Sequence, residues 1–446
     1  MSTTRYLFTQ FLTHRYERHQ MTVHRRTTTL LAVAASTALA LAGCSTTNTE
    51  ATGPITLTFS SPAFQDATVK ATTDIVDSWN KANPTIQIKY QKVDPNSVHD
   101  KLVTQFAGDS APDIIQDESS DLAGFTRQGY LADLAALIPD GVKKDIPESV
   151  WDAVTYDGKI SGVPTIAQVY TLFANTDALT AAGISLPTRD KPWTWDDLAT
   201  NATKLKPAGD GYGFAWSLKS PALGLMSSGL AFGGQYLSGG TAKPTMAVTD
   251  KELEVPKRVK ALLDSGVMAP TSLAQSGPEI LPGFFAGKYP LILAASYVES
   301  QLEQKAPAGF NWSMLPLLKG TTQGQAANPQ TLSISEQSKY KKEAMKFIEY
   351  YAKAENIAAL SEGDAMIPAS KAAAEIVTKK LTGRHGWENI LAASSQLVDA
   401  PWNKADNFPR FKTEIGNPTF QEYLGGKIDL ETLRQRLVDG WRKANE

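Results

Sequence analysis

Asp117, Glu118 and Asp121, with Ser120 between them, crowd into five residues just after the apolar pair Ile114-Ile115. Carboxylates and a hydroxyl at that spacing can accept and donate hydrogen bonds to a polar solute, or form a solvated acidic face. Two carboxylates are also the equipment of a glycosidase, and a chain with 46 Asp and Glu cannot exclude such a pair by counting. Other chemistry is excluded by its missing motifs. The chain has no Gly-x-Ser-x-Gly elbow, no Walker-type loop and no His-Glu-x-x-His helix. Ser338-Lys339-Tyr340-Lys341 fits Ser-x-x-Lys, yet no Ser-Asp-Asn or Lys-Thr-Gly follows and it runs into an amphipathic segment. Gly209 to Gly213 is glycine-rich without a strand-to-helix context, and reads as a loop. Binding rather than catalysis is the expectation, with no cofactor.

The N-terminal segment explains the only cysteine. Arg25 and Arg26 precede an apolar run from Leu30 to Ala42, 13 residues long. A bilayer-spanning helix needs about 20, so the run fits a signal-peptide core. Leu41-Ala42-Gly43-Cys44 then resembles the bacterial lipobox, in which Cys44 is lipidated and becomes the mature N-terminus. Residues 1–43 are therefore expected to be a signal peptide, with Met21 a plausible true start. Residues 44–54, ending in the small polar stretch Ser45 to Pro54, form a tether. The leader holds five arginines and one acid, which leaves 39 basic and 45 acidic groups beyond it, a net of −6. That surface argues against a nucleic-acid partner. His14, His19 and His24 also fall in the leader, and His99 and His385 alone make no multi-histidine metal centre.

About 400 residues exceed what one core usually supports, so two domains are expected. Ile55, Leu57 and Phe59 alternate as a strand, and Asp66 to Lys81 reads as a helix stopped by Asn83-Pro84. Ile86, Ile88 and Tyr90 make a second strand. Asp100 to Ala107 is a short helix ended by Gly108, and Pro112-Asp113-Ile114-Ile115 enters a third strand. This alternation predicts a parallel α/β sheet, whose ligands sit beyond the carboxyl ends of the strands, at Ser60–Gln65 and Gln116–Asp121. A hairpin turning at Asp157-Gly158 and a helix capped by Thr194 with Asp197 are expected further on.

In order along the chain, these segments resemble the lipid-anchored extracellular solute-binding proteins of ABC importers, in the cluster that holds maltose and other sugar binders. Lys101 to Leu134, with Ala-Pro-Asp before a buried strand and a closing Gly-Tyr-Leu, is similar to the family's first-domain signature. Tyr156 to Pro187 is similar to its crossing segment, Pro192 to Lys206 to its Thr-Trp helix start, and Phe284 to Tyr297 to its Phe-x-x-Gly-Lys element. The resemblance implies a two-lobed periplasmic-binding-protein type II fold, each lobe a mostly parallel sheet flanked by helices, with a hinge between. Lobe I would take 55–165 and about 329–376, and lobe II about 166–328 and 377–446. It implies a substrate-binding subunit that captures a di- or oligosaccharide in the interlobe cleft, outside the cell membrane. A membrane permease would be its partner and the protein itself a monomer. A glycerophosphate ligand is the alternative in the same role, and a secreted carbohydrate-active hydrolase a more distant one.

Matched position by position, Asp117, Ser120 and Asp121 fall where sugar binders place an aromatic, an acid and a base. The acids at the first and third positions depart from the maltodextrin pattern. Gln168 stands where maltose binders put a carboxylate, and Tyr297 on the stacking aromatic. Gln65, Asp66, Glu118, Trp216 and Gln235 complete the expected ligand set. Asp66 can equally be a helix cap, and Trp216 core. No basic group is seen near the matched positions, which disfavours a phosphate ester.

Overall fold

A computed structural model describes residues 53–95, 97–238 and 244–446. The leader, Cys44 and the tether as far as Thr52 lie outside the described residues. The strands of the two main sheets are β1 (Ile55–Ser61), β2 (Ile86–Lys92), β3 (Ile114–Glu118), β4 (Val163–Ala167), β5 (Tyr170–Asn175), β6 (Phe214–Trp216), β7 (Leu291–Ala295), β8 (Trp312–Met314), β9 (Pro329–Ile334) and β10 (Ile367–Pro368). The large sheet runs β10-β4-β9-β3-β1-β2 and the small one β8-β5-β7-β6.

The first αβ alternation folds as its pattern predicts. β1 pairs in parallel with both β2 and β3, and Leu57 and Phe59 are fully buried. The helix between β1 and β2, Asp66–Ala82, buries Ile75, Val76 and Trp79 and ends at Asn83. β2 is a sheet edge, where open backbone groups invite foreign strands. Asn80 covers part of it: its side chain donates to the carbonyl of Ile88 (3.0 Å) and accepts from the Ile88 N–H (2.7 Å).

By direction, four strands of the large sheet agree and β9 and β10 oppose them. In the small sheet only β5 is reversed. The reversals follow from the crossings. β4 and β5 are joined by Gln168 and Val169 alone, so the chain leaves the large sheet and enters the small one without a helix. β9 brings it back. Parallel neighbours need long crossover connections, whereas a strand arriving from the other sheet is free to run antiparallel.

The small sheet is buried on both faces, as sheets with helical cover are. Leu291 and Leu293 point into one apolar cluster with Trp195, Phe214 and Trp216, while Ile292 and Ala294 point into another with Phe173 and Trp312. The hairpin at Thr155–Ile160 turns through Asp157 and Gly158, both at positive φ (50° and 80°), the geometry of a type I′ turn. The Trp195–Leu205 helix has the predicted reciprocal cap between Thr194 and Asp197. Among the described residues, no helix is long and apolar enough to cross a membrane.

One boundary is less simple than the expected lobe division. Trp402, Phe408 and Phe411 belong to the apolar cluster of the small sheet. Yet the turns Pro401–Lys404 and Phe408–Phe411 pack on Ser119–Asp121, at the end of the large sheet. Arg127 reinforces this join by donating to the carbonyl of Lys404 (2.8 Å) and pairing with Asp406.

Candidate functional site

The carboxyl ends of β1, β3 and β7 lead to one region. β1 runs on to Gln65, β3 ends at Glu118, and β7 leads into Tyr297 at the start of the Val298–Lys305 helix. Asp117 and Glu118 are not in a loop, as a solvated acidic face would be. They are the last residues of β3, paired with Thr331 and Gln330 of β9. Strand alternation sends their side chains to opposite faces. Asp117 is 2% exposed.

Asn328, just before β9, organises the acidic turn. Its Nδ2 donates to Glu118 Oε2 (2.9 Å), and its Oδ1 accepts from Ser119 Oγ (2.9 Å) and the Ser120 N–H (3.0 Å). Tyr156 donates its hydroxyl to the Ser119 carbonyl. Ser120 Oγ donates to Asp121 Oδ1 (3.3 Å). Lys412 closes the group, with Nζ 3.4 Å from Asp121 Oδ1 and its side chain 20% exposed. It sits at the head of a five-residue π-helical stretch, Lys412–Gly416, a local widening common at functional sites. Pro418 follows and has no N–H to return to Glu414, so the normal α ladder cannot continue there.

The electrostatics are those of a partly neutralised acidic cluster. Burial opposes the Lys412 charge, but Asp121, Glu118 and Asp117 outweigh it and raise the ammonium pKa. Burial pushes Asp117 well above the usual carboxylate range, and Asp121 pushes it further. Glu118 is raised too, chiefly by burial. Its charge reaches the other sheet: after burial it is the next cause of the raised Tyr170 and Tyr297 phenols, Tyr297 standing at about 12. Tyr170 is held by a reciprocal pair, in which Gln325 Oε1 accepts from its N–H and Gln325 Nε2 donates to its carbonyl, both at 2.8 Å.

Gln65 ties the two sheet ends together. Its Nε2 donates to the Tyr297 carbonyl (2.6 Å), its Oε1 accepts from Gln301 Nε2 (2.8 Å), and Phe64 meets the Tyr297 ring edge-on at 5.6 Å. Beside Tyr170, Trp195 and Gln325 lies a cavity of about 10 Å³, room for one water. Drug-sized ligands occupy pockets of roughly 300 Å³ or more. A solute of sugar size does not fit in this cavity. In Gln65→Ala two hydrogen bonds are lost, together worth about 1–3 kcal/mol. The variant is expected to have a larger mean radius of gyration by small-angle scattering. An unchanged radius together with an unchanged melting temperature would refute this role for Gln65.

The structure thus gathers Gln65, Asp117, Glu118, Ser120, Asp121 and Tyr297. Gln168 is half-buried in the β4–β5 link, two residues before Tyr170. Three residues of the expected set stand apart. Asp66 is exposed in the first turn of its helix and makes no cap hydrogen bond; Gln65 occupies the cap position. Trp216 is fully buried, in tilted contact with Trp195 at 5.9 Å. It lies behind Tyr170: a Cβ on Gly224 would come within 3.5 Å of both rings. Gln235 is exposed at a turn, where its N–H donates to Glu252 (2.8 Å). The sequence reading missed Lys412, Asn328, Tyr170 and Trp402, and its expectation of no nearby base is overturned by Lys412. No local motif marks that lysine; Pro401-Trp402 and Asn328-Pro329 offered only breaker signals. Among the described residues, no three His, Cys, Asp or Glu side chains are grouped to hold a metal ion.

Comparison with known proteins agrees with this architecture. A sequence model described as bacterial extracellular solute-binding protein matches residues 60–358. An uncharacterized lipoprotein in the oleD 5′ region of Streptomyces antibioticus is 35% identical over 402 residues, 89% of this chain and 88% of that protein. The GacH receptor of Streptomyces glaucescens, solved unliganded and with acarbose, superposes with a TM-score of 0.74 at 21% identity, over 87% of this chain and 98% of its own. The sugar-binding protein MalE of Xanthomonas citri gives 0.73 at 21% identity, over 88% and 98%. At such identities the structural likeness speaks for the fold. The family follows from the sequence match and the Streptomyces relative: this chain belongs to the bacterial extracellular solute-binding proteins.

Proposed function

We propose that this protein is the substrate-binding subunit of an ABC importer and captures a di- or oligosaccharide between its two lobes for delivery to a membrane permease. The observation that carries this reading is the meeting of strand ends from both sheets at one polar, aromatic-edged cluster. Such a crevice at the carboxyl ends of strands is where α/β sheets bind ligands. Its hydroxyl, amide and carboxylate groups suit a hydroxyl-rich edge, and Tyr297 and Tyr170 offer rings for a C–H face. Lobe I takes 55–165 and about 329–376, lobe II about 166–328 and 377–446, and Gln168-Val169 is one of the hinge links. Cys44 carries the lipid anchor that holds the monomer at the outer face of the membrane, in line with the lipoprotein name of the Streptomyces relative. The role is binding, not catalysis. A glycerophosphate is disfavoured because the charge of Lys412 is already engaged by three acids.

A thermal-shift screen across sugars, polyols and glycerophosphodiesters tests the proposal. A sugar at a hundredfold excess over its Kd is expected to stabilise the fold by about 2.7 kcal/mol, while phosphate esters leave the melting temperature unchanged. Stabilisation by the esters alone would overturn it. Tyr297→Ala is expected to weaken the identified sugar by about 1 kcal/mol or more, the worth of an aromatic contact beyond its area. Unchanged affinity by titration calorimetry would remove Tyr297 from the site.

A further inference from the structure

We infer that the captured carbohydrate is cationic, an amino sugar whose ammonium group docks against Asp117 and its acidic neighbours; this rests on the carbohydrate reading above. Three carboxylates, Asp117, Glu118 and Asp121, act electrostatically on one ammonium, that of Lys412. Lys412 makes its close contact with Asp121, at 3.4 Å, and Asn328 serves Glu118 at 2.9 Å. Asp117 is left over. Its Oδ1 accepts only the N–H of Glu118 (2.9 Å), and its Oδ2, buried in a side chain 2% exposed, has no donor. A buried carboxylate oxygen without a partner is costly, which makes it a site awaiting a donor or a proton.

A second orphan comes from another element. Asn403, fully buried in the Pro401–Lys404 turn that packs on Ser119–Asp121, donates Nδ2 to the Ala327 carbonyl (2.6 Å). Its Oδ1 has no donor either. Two buried acceptors here thus lack a donor, and three acids act on a single ammonium. A primary ammonium supplies one charge and three donors at once. A neutral sugar supplies hydroxyl donors but leaves the charge excess, so Asp117 must then keep its own proton. A metal ion would answer the charge, but these acids are not grouped as metal ligands.

The test uses three disaccharides that differ only at the second ring carbon: cellobiose (hydroxyl), diglucosamine (ammonium) and diacetylchitobiose (acetamide). Each is titrated calorimetrically into the purified protein at slightly acidic pH, in two buffers of different ionisation enthalpy. Diglucosamine is expected to bind about tenfold or more tighter than the other two, the worth of one charge-assisted hydrogen bond, and with proton release. Asp117→Asn and Glu118→Gln, both isosteric, are expected to shrink that preference without changing the circular dichroism spectrum. Should Asp117→Asn fail to fold, Glu118→Gln and the proton release by the unaltered protein still decide. Diglucosamine that fails to bind, or binds no tighter than cellobiose, overturns the inference. Whether any neutral sugar in the thermal-shift panel binds then judges the carbohydrate reading separately.

Discussion

Replacing Lys412 with methionine is expected to lower the stability of the fold by about 3 kcal/mol, near the lower end of the cost of removing one partner from a buried ion pair. The lower end applies because the side chain keeps 20% of its exposure. The aliphatic stem is retained, so the loss isolates the charge that interacts with Asp121, Glu118 and Asp117. The effect has a pH signature whose sign is fixed. Asp117 and Glu118 have folded pKa values above their unfolded ones, so the folded state holds their protons more tightly. Their contribution is fully present below the unfolded carboxylate range and is lost as pH rises through the folded values. Without Lys412 those values rise further, so the deficit is larger at about pH 8 than at about pH 5. Urea melts of both proteins at the two pH values measure it. A deficit independent of pH would mean that Lys412 acts through packing alone.

Trp402 offers the second large effect and separates scaffold from recognition. It is fully buried, stacked on Phe408 at 6.0 Å and edge-on to Tyr236 at 6.3 Å, in the turn that covers Ser119–Asp121. Trp402→Ala is expected to cost about 3–5 kcal/mol, as large aromatic deletions do. The indole Nε1 is buried without an acceptor, and Trp402→Phe removes that N–H while keeping most of the ring. Phenylalanine, three heavy atoms smaller, is expected to cost less than alanine does, about 1–3 kcal/mol of stability. If the indole serves the captured sugar, affinity falls by about 0.5–1.5 kcal/mol, one hydrogen bond. Thermal melts and titration calorimetry on both variants give the two quantities. Equal sugar affinity in Trp402→Phe and the parent protein would confine Trp402 to the scaffold.

The first αβ alternation was readable because its signals are local. Leu57 and Phe59 alternate, Trp79 recurs at helical spacing, and Asn83 and Gly108 end their helices where propensity says they should. The Thr194–Asp197 cap and the Asp157-Gly158 turn are equally local, each settled within four residues. The nature of the acidic stretch was not local. Asp117 and Glu118 lie in a strand because β9, more than 200 residues later, extends the ladder to Gln330. Glu118 has a donor because Asn328 returns with that strand.

The sequence alone determined the first strand–helix alternation, the sides of the strands on which its polar segments emerge, and which family the order of its motifs resembles. Those properties rest on hydrophobic period, caps and turn residues, whose physics acts within a few positions. Only the tertiary structure decided which polar groups meet there. It brought Lys412 to Asp121, Gln65 to Tyr297, and Trp402 over the acidic turn, and it put Trp216 in the core and Gln235 in solvent. The reason is that burial and charge pairing depend on contacts between distant segments. Sequence shows which side chains carry charge, whereas the fold alone determines which of those charges is left without a partner.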